Sequence, residues 1–578
     1  MPTSTSLADT AATPARSRFH RNFYVANTME IFERLAWFGF FTLSSLYMTS
    51  PTAQGGLGFS DSERGFLQGM IPFILYLLPV LTGALADHYG YRRMFLLAFS
   101  IMAPSYYLLG QVHSFNSFML VFLAVAIGAA CFKPVVVGTI AKNTDASNRG
   151  LGFGVFYTMV NIGGFLGPLI AGYVRAISWD LVFIMSACWI SINFLPAIFL
   201  YRDQKNSTAQ IDQRGLAEVL RETRAVLGNG RLALLVIPAI LGIMLSAKGV
   251  FSYAQYAWTM LIWVALNCGW SLLLKARATS TQSRWYQQSI QIGDRNFVVY
   301  LLILTGFWTI YNQLPLTAPL FLRDFIDTRD IVQWLGVYHP RYLEFFAAVN
   351  PEQLQQAIAS LSQQWLQASD ATNLQQIRLE LVNYKVMVPV DELQRGFSAL
   401  QQQQISLKQL SQHWIQNYRQ INPEYLINLS FAAIVLCQIG ISHFLQRWRA
   451  LPVLVAGTLI LGLAMILTGY AMQAAAAGFV CILAILLYAL GEMIASPKSQ
   501  EYVAALAPPE KSAMFMGYYF VSMALGNLFG GLLSGWAYGE IARKANQPIL
   551  MWLVFAAIAG LTAITMLIFD RSMKTRAN

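Results

Sequence analysis

Charge is what this 578-residue chain has least of: 12% of its residues are Asp, Glu, Lys or Arg. A water-soluble globular chain carries about twice that share, roughly 25%, so an ordinary soluble enzyme or binding module is excluded. Cysteine is scarce as well. The five present, Cys131, Cys188, Cys268, Cys437 and Cys481, lie in apolar segments and at no metal-ligand spacing. They are expected as small packing residues, and no metal site is expected. No G-x-x-x-x-G-K-[ST] stretch occurs, so no loop that cradles a nucleotide phosphate is anticipated. The net charge of +11 would suggest nucleic acid in a soluble chain. Here Lys and Arg gather in short loops between apolar runs, the bias that membrane proteins show toward the cytoplasm. The expected partner is a lipid bilayer, not nucleic acid.

What the chain has in quantity is apolar sequence: 56% of residues are hydrophobic. Runs of about 20 residues, long enough to cross a bilayer, are expected near 30–50, 66–86, 94–112, 115–141, 151–175 and 179–201. Two more follow near 231–250 and 254–275, then one at 296–318, and five at 425–446, 450–472, 476–505, 511–540 and 548–570. The expected fold is therefore all-α and polytopic, two six-helix bundles plus two extra helices, fourteen spans in all. Residues 1–21 form a polar cytoplasmic tail, with no cleavable signal peptide expected, and 22–202 the first bundle. Residues 203–295 form a cytoplasmic linker carrying an amphipathic segment at 211–228 and the two extra helices. The second bundle is 296–323 with 425–571, and 572–578 is a cytoplasmic tail.

Between spans seven and eight lies the only sizeable soluble piece, 324–424. It is Gln-rich and free of cysteine. Asn350, Pro351 and Gln353 read as N-cap, N1 and N3 of a helix. Leu354, Ile358, Leu361 and Trp365 then share a face, as do Leu407, Leu410, Trp414 and Tyr418. A small helical insert on the periplasmic side is expected, offering a surface for a protein or ligand. Its two histidines, His339 and His413, make no catalytic or metal cluster.

Against this apolar background the charges inside spans stand out, because each costs about 2.5 kcal/mol or more at the bilayer centre. The stretch EIFERLAWFG places Glu30 and Arg34 four residues apart on one helix face, with Glu33 beside Arg34. Lys133, in span four, has no acid on its own helix, so the charges balance if span four packs near span one. A carboxylate between two cations can take or release a proton as their geometry changes. In the second bundle Glu492 sits mid-span without a local base and is expected to face a central cavity. Ser496 lies one turn on, and Pro497 frees a backbone carbonyl nearby. Lys498 and Glu501 are placed to pair. In GALADHYGYRR, Gly83, Asp87, Gly90, Arg92 and Arg93 form either a latch between helix ends or an ordinary positive loop.

Several of these stretches, taken in order, resemble the proton-dependent oligopeptide transporters of the major facilitator superfamily. EIFERLAWFG resembles their E-x-x-E-R opening, GALADHYGYRR the superfamily loop motif, and FKP (132–134) the Lys-Pro element of span four. FYTMVNIGG is similar to F-Y-x-x-x-N-x-G, and FWTIYNQ, NP (422–423), GEMIASP and APPEKSAMFMGYYF follow in the second bundle. The resemblance implies that Glu30, Glu33, Arg34 and Lys133 couple protons to transport, with no cofactor beyond the proton gradient. It implies a substrate cavity lined by Tyr76, Lys133, Asn161, Trp308, Glu492 and Ser496, with Asn422 at the head of span eight and Glu492 meeting an amino terminus. Departures from the pattern are equally specific. Trp37 and Phe38 stand where the family has tyrosines, Phe41 where it has a carboxylate-reading arginine, Asn312 for that arginine's acidic partner, and Tyr519 for a tryptophan. Losing both members of a charge pair leaves neither one buried alone, and it makes the cavity more apolar. The implied function is proton-coupled symport of small peptides or peptide-like compounds across a bacterial inner membrane. A carrier or exporter of a modified or non-peptide substrate is the alternative.

Overall fold

In the computed structural model, residues 19–144, 148–203, 221, 224, 226–276, 285–367, 371–506 and 512–577 are described. The expected tail at 1–18 and nearly all of the amphipathic segment at 211–228 lie outside these residues. The first bundle comprises α1 (Arg21–Thr49), α2 (Asp61–Leu77), α3 (Pro79–Tyr89), α4 (Tyr91–Leu109), α5 (Phe115–Lys142), α6 (Arg149–Arg175) and α7 (Trp179–Ile192). Helix α1 starts at Arg21, earlier than its apolar run suggests. The His20 ring accepts from Asn22 N at 3.2 Å, and the polar residues that follow turn inward. Asn22, Asn27, Glu30, Glu33 and Arg34 are all buried. A capping box of Ser60 and Glu63 starts α2. Span two breaks at Leu78, and α3 ends at Gly90, whose φ of +93° lets the chain turn into α4.

The second half begins with two extra helices, α8 (Gly230–Ala247) and α9 (Tyr253–Ala276). They pack chiefly on each other and present apolar side chains such as Trp258, Leu261 and Leu266 outward. Then come α10 (Arg295–Tyr311), α11 (Gln313–Leu316) and α12 (Ala318–Phe325). The insert contributes α13 (Arg329–Tyr338), α14 (Pro340–Phe346), α15 (Pro351–Gln367), α16 (Ala371–Leu381), α17 (Val390–Gln401) and α18 (Leu407–Tyr418). Helices α19 (Pro423–Leu445), α20 (Ala450–Ala471), α21 (Ala477–Leu506), α22 (Ser512–Trp536) and α23 (Pro548–Ala577) finish the bundle. Eleven helices among the described residues are long and apolar enough to cross a membrane. The remaining expected spans are α1, α2 with α3, and α4, which carry more charge or are interrupted.

Proline positions explain two of the ties between helices. Pro134 cannot donate to Ala130 O, and Thr82 Oγ1 of α3 takes that carbonyl at 2.6 Å. Pro497 likewise leaves Met493 O to Gln438 Nε2 of α19 at 3.2 Å. Glycine sets how close helices come. A Cβ on Gly39 of α1 would stand 3.2 Å from Gly167 O of α6, and one on Gly65 of α2 only 2.6 Å from Gly535 Cα of α22. Helices α2 and α22 pack across the two bundles, as do α6 and α19. The close approach of Gly65 and Gly69 to 528–535 lies at the end nearest the insert, so the bundles are closed on that side.

The insert is two pieces. Ile331, Val332 and Leu335 of α13 bury in the main core, and Asp330 Oδ2 accepts from Phe479 N of α21 at 3.0 Å. Residues 354–414 instead build a core of their own around Leu354, Ile358, Phe397 and Trp414. Asn350 Oδ1 caps α15 through Glu352 N and Gln353 N, and Ser406 and Gln409 form a capping box on α18. Of the five cysteines, Cys131 and Cys481 are buried, while Cys188, Cys268 and Cys437 lie on the exposed face.

Candidate functional site

Between the bundles lies a cavity of about 240 Å³. Helices α1 and α2 supply Trp37, Phe38, Phe41, Thr42, Pro72 and Tyr76. The second bundle supplies Trp308, Tyr311, Asn312, Phe431, Tyr488, Glu492, Ser496, Gln500 and Asn527, among others. Trp37 and Phe41 stack at 5.0 Å, one turn apart on α1. The α1 wall is therefore aromatic, with no cation. Glu492 is the only charged side chain among the lining residues. Its Oε1 accepts from Tyr311 OH at 2.9 Å, and Tyr488 OH donates to Tyr311 O. The carboxyl is thus held from one side and open to the cavity on another. Trp308 Nε1 is buried and has no partner among the described residues, a donor available to a ligand.

Just behind the α1 wall sit the charges. Glu30 is 3% exposed, Glu33 0% and Arg34 3%. Arg34 Nε lies 3.3 Å from Glu30 Oε1, and the same guanidinium pairs with Glu33. Glu30 Oε2 and Glu33 Oε1 are buried and accept nothing among the described residues, so each acid keeps an oxygen on which a proton can sit. Lys133, on α5 beside α1, lies 5.4 Å over the Tyr76 ring. Among the described residues it makes no direct ion pair with either glutamate. Arg34 in turn lies 5.5 Å over the Phe38 ring. Phe38 and Tyr76 line the cavity, so a single aromatic layer separates both cations from it.

Of the substrate residues expected from sequence, the cavity gathers Trp37, Phe41, Tyr76, Trp308, Asn312, Glu492 and Ser496. Asn161 is half-buried on α6 and outside the lining, because α6 turns Gly163 and Gly167 toward α1. Tyr519 is fully buried behind Trp308, its hydroxyl 2.9 Å from Ser499 Oγ. Asn422 is buried at the joint of insert and bundle, its N–H on Phe346 O at 2.9 Å, and lines no part of the cavity. Sequence reasoning passed over Tyr311, Tyr488, Gln500 and Asn527. Tyr311 was readable only as one more aromatic three residues beyond Trp308. Lys498 pairs with Glu501 at 2.8 Å.

In the loop between α3 and α4, Arg92 donates to Ala197 O at 3.2 Å and Ile198 O at 2.7 Å, and its N–H meets Asp203 Oδ1 at 3.1 Å. Arg92 is therefore a latch within the first bundle, whereas Arg93 is exposed. A Cβ on Gly83 would meet Pro134 at ordinary contact distance. The Asp87 side chain lies outside what is described.

At the insert-side end a second polar cluster joins the bundles. Fully buried Arg64 donates to Leu316 O at 3.0 Å and Ser534 Oγ at 3.1 Å. Asp324 accepts from Arg323 at 2.6 Å, Tyr538 OH at 2.7 Å and Arg543 at 2.8 Å. Arg543 also reaches Asp61 of α2 at 3.3 Å. Arg175 of α6 pairs with buried Glu424 of α19 at 2.9 Å. Among the described residues, no group of three or more His, Cys, Asp or Glu side chains could hold a metal ion.

A sequence model of the Major Facilitator Superfamily matches residues 35–327 and 405–578, leaving most of the insert unmatched. The peptide transporter YePEPT of Yersinia enterocolitica is 22% identical over 541 residues, 91% of this chain and 88% of its own. Two solved structures share the fold over 96% of the chain. One is an auto-inhibited POT family peptide transporter (TM-score 0.59, 18% identity, 97% of that chain). The other is a POT family transporter in complex with 5-aminolevulinic acid (0.57, 15%, 96%). Fold and site together define a multi-pass membrane transporter. The chain belongs to the major facilitator superfamily.

Proposed function

We propose that this protein is a proton-coupled symporter of di- or tripeptides or peptide-like compounds across the inner membrane. The two bundles rock about the central cavity, with both termini cytoplasmic and the insert periplasmic. The observation that carries this reading is the placement of the Glu30–Glu33–Arg34 group and Lys133 one aromatic layer behind the cavity wall. Glu492 stands on the facing wall. A ligand that shifts Phe38 or Tyr76 alters the cations' distances to the glutamates, and so the proton affinity of those acids. Glu492 suits a ligand's protonated amine, and the aromatic walls suit apolar side groups.

The lack of any Lys or Arg among the cavity-lining residues favours one variant of this reading. The cargo then has a masked or absent carboxylate, and modified peptides or non-peptide amines outrank free dipeptides. A thermal-shift screen of peptides, amino-acid conjugates and peptide-like compounds identifies the ligand by mass action. With that ligand in liposomes, Glu33→Gln or Lys133→Ala should abolish uphill, proton-driven uptake while counterflow partly survives. Concentrative uptake that persists without Glu30, Glu33 and Lys133 would refute the coupling assignment.

A further inference from the structure

A second cavity, larger than the central one, lies at the insert. A cleft of about 630 Å³ opens where the insert meets the first bundle. Residues 175–179 and Gln54 form one wall, and 348–353 with 383–385 form the other. Two cations face each other across it. Arg175 is anchored, with one nitrogen on Glu424 and its guanidinium 4.8 Å over the Trp179 ring.

Lys385 comes from the insert and is held more unusually. Its φ of +63° puts a non-glycine residue in the left-handed region, which costs about 1 kcal/mol or more. Two hydrogen bonds fix that conformation: its N–H on Val382 O at 3.0 Å, and its carbonyl under Gln420 N at 2.9 Å. Among the described residues its ammonium has no carboxylate within ion-pair distance. Burial and the like charge of Arg175 push its pKa down to about 8, and Glu424 offsets this only in part. The charged groups around it are Arg175 on α6, Glu424 on α19 and Glu352 at the cleft rim on α15. Glu424 is already engaged by Arg175. The Gln54 amide nitrogen, also in the lining, is buried and has no partner among the described residues.

We propose that this cleft is a binding site for a small oxyanion, a carboxylate or a phosphate, held between Arg175 and Lys385. The guanidinium supplies directional donors, the ammonium supplies the compensating charge, and the Gln54 amide supplies a neutral donor. Arg175 moves with the first bundle and Lys385 with the insert. A bound anion therefore ties the insert to the first bundle and favours the state closed on that side. This site is separate from the central cavity and stands whether or not the cargo is a peptide.

The test is calorimetric titration of the full-length protein in detergent with inorganic phosphate, acetate and glycylglycine in turn. Saturable binding of at least one probe in the millimolar range or tighter is expected. Lys385→Gln should weaken it at least tenfold, and Lys385→Arg should largely retain it. Binding by phosphate alone points to a phosphate or headgroup source, and binding by acetate and glycylglycine to a carboxylate ligand. As a second readout, mass spectrometry should find Lys385 protected from acylation by the probe that binds. The absence of saturable binding by all three probes, or binding that Lys385→Gln leaves unchanged, would overturn the proposal.

Discussion

Tyr311 determines how Glu492 meets the cavity. Its hydroxyl is the carboxyl's only hydrogen-bond donor among the described residues, and hydrogen bonds to charged groups contribute about 1.5–3 kcal/mol. Tyr311→Phe should therefore raise the substrate KM roughly tenfold with little change in maximal rate. An unchanged KM in uptake assays would remove Tyr311 from the positioning role. Lys385 offers a pH-dependent counterpart outside the membrane. With its pKa lowered from 10.5 to about 8, it is uncharged over a range where ordinary lysines are protonated. Its acylation by an amine-reactive reagent should reach half its limiting rate near pH 8, and reactivity following ordinary lysines would contradict the burial. The sign for stability is fixed too. Between about pH 8 and 10.5 the unfolded chain binds more protons at this residue, so its unfavourable contribution fades as pH rises.

Among elements, the insert separates into parts with different obligations. Its 354–414 core is closed on itself, so a fragment spanning 349–418 should fold alone and show a helical circular-dichroism spectrum. Trp414 is fully buried against Gly396 and Phe397. Trp414→Ala costs about 3–5 kcal/mol, comparable to the whole stability of so small a unit, and should unfold the fragment. Much of this was legible in sequence. The Asn350 cap, the two apolar faces and the carbonyl freed by Pro497 all follow from local chemistry. The fastening of 329–347 to the bundle was not legible, because Asp330 meets its partner at Phe479, far along the chain. The cavity divides in the same way. Mid-span charge identified Glu492, and Trp37 followed only from the family resemblance, whereas excluding Asn161 required knowing which face of α6 packs on α1. The α2–α22 contact belongs to this scale as well. A side chain at Gly65 has no room against Gly535, so Gly65→Val should lower proton-driven uptake at least tenfold. Uptake at the wild-type level would mean that the two helices separate easily there.

At the scale of the whole molecule, two charged clusters sit at different depths, and their geometry suits opposite tasks. The group at Glu30, Glu33 and Arg34 leaves carboxylate oxygens unsatisfied, which suits proton exchange. The cluster at Asp324 is saturated by Arg323, Tyr538 and Arg543, and Arg543 carries it across to Asp61 of the other bundle. A saturated cross-bundle cluster holds a conformation. Removing one partner of a buried pair costs about 3–5 kcal/mol, here charged to the state closed on the insert side. Asp324→Asn leaves Arg323 and Arg543 facing each other with only Asp61 to offset them. The equilibrium should move at least tenfold toward states open on that side, each tenfold requiring about 1.4 kcal/mol. Tyr538→Phe removes one neutral donor, worth about 1.5–3 kcal/mol to a carboxylate, and should move it less. The measurement is labelling of a cysteine placed at Phe41 by a thiol reagent that cannot cross the bilayer. The chain used would have Cys188, Cys268 and Cys437, the exposed native thiols, replaced by serine. Faster labelling in the order wild type, Tyr538→Phe, Asp324→Asn is expected. Equal rates in all three would mean that the glycine contact of α2 with α22 closes this end without the ionic cluster.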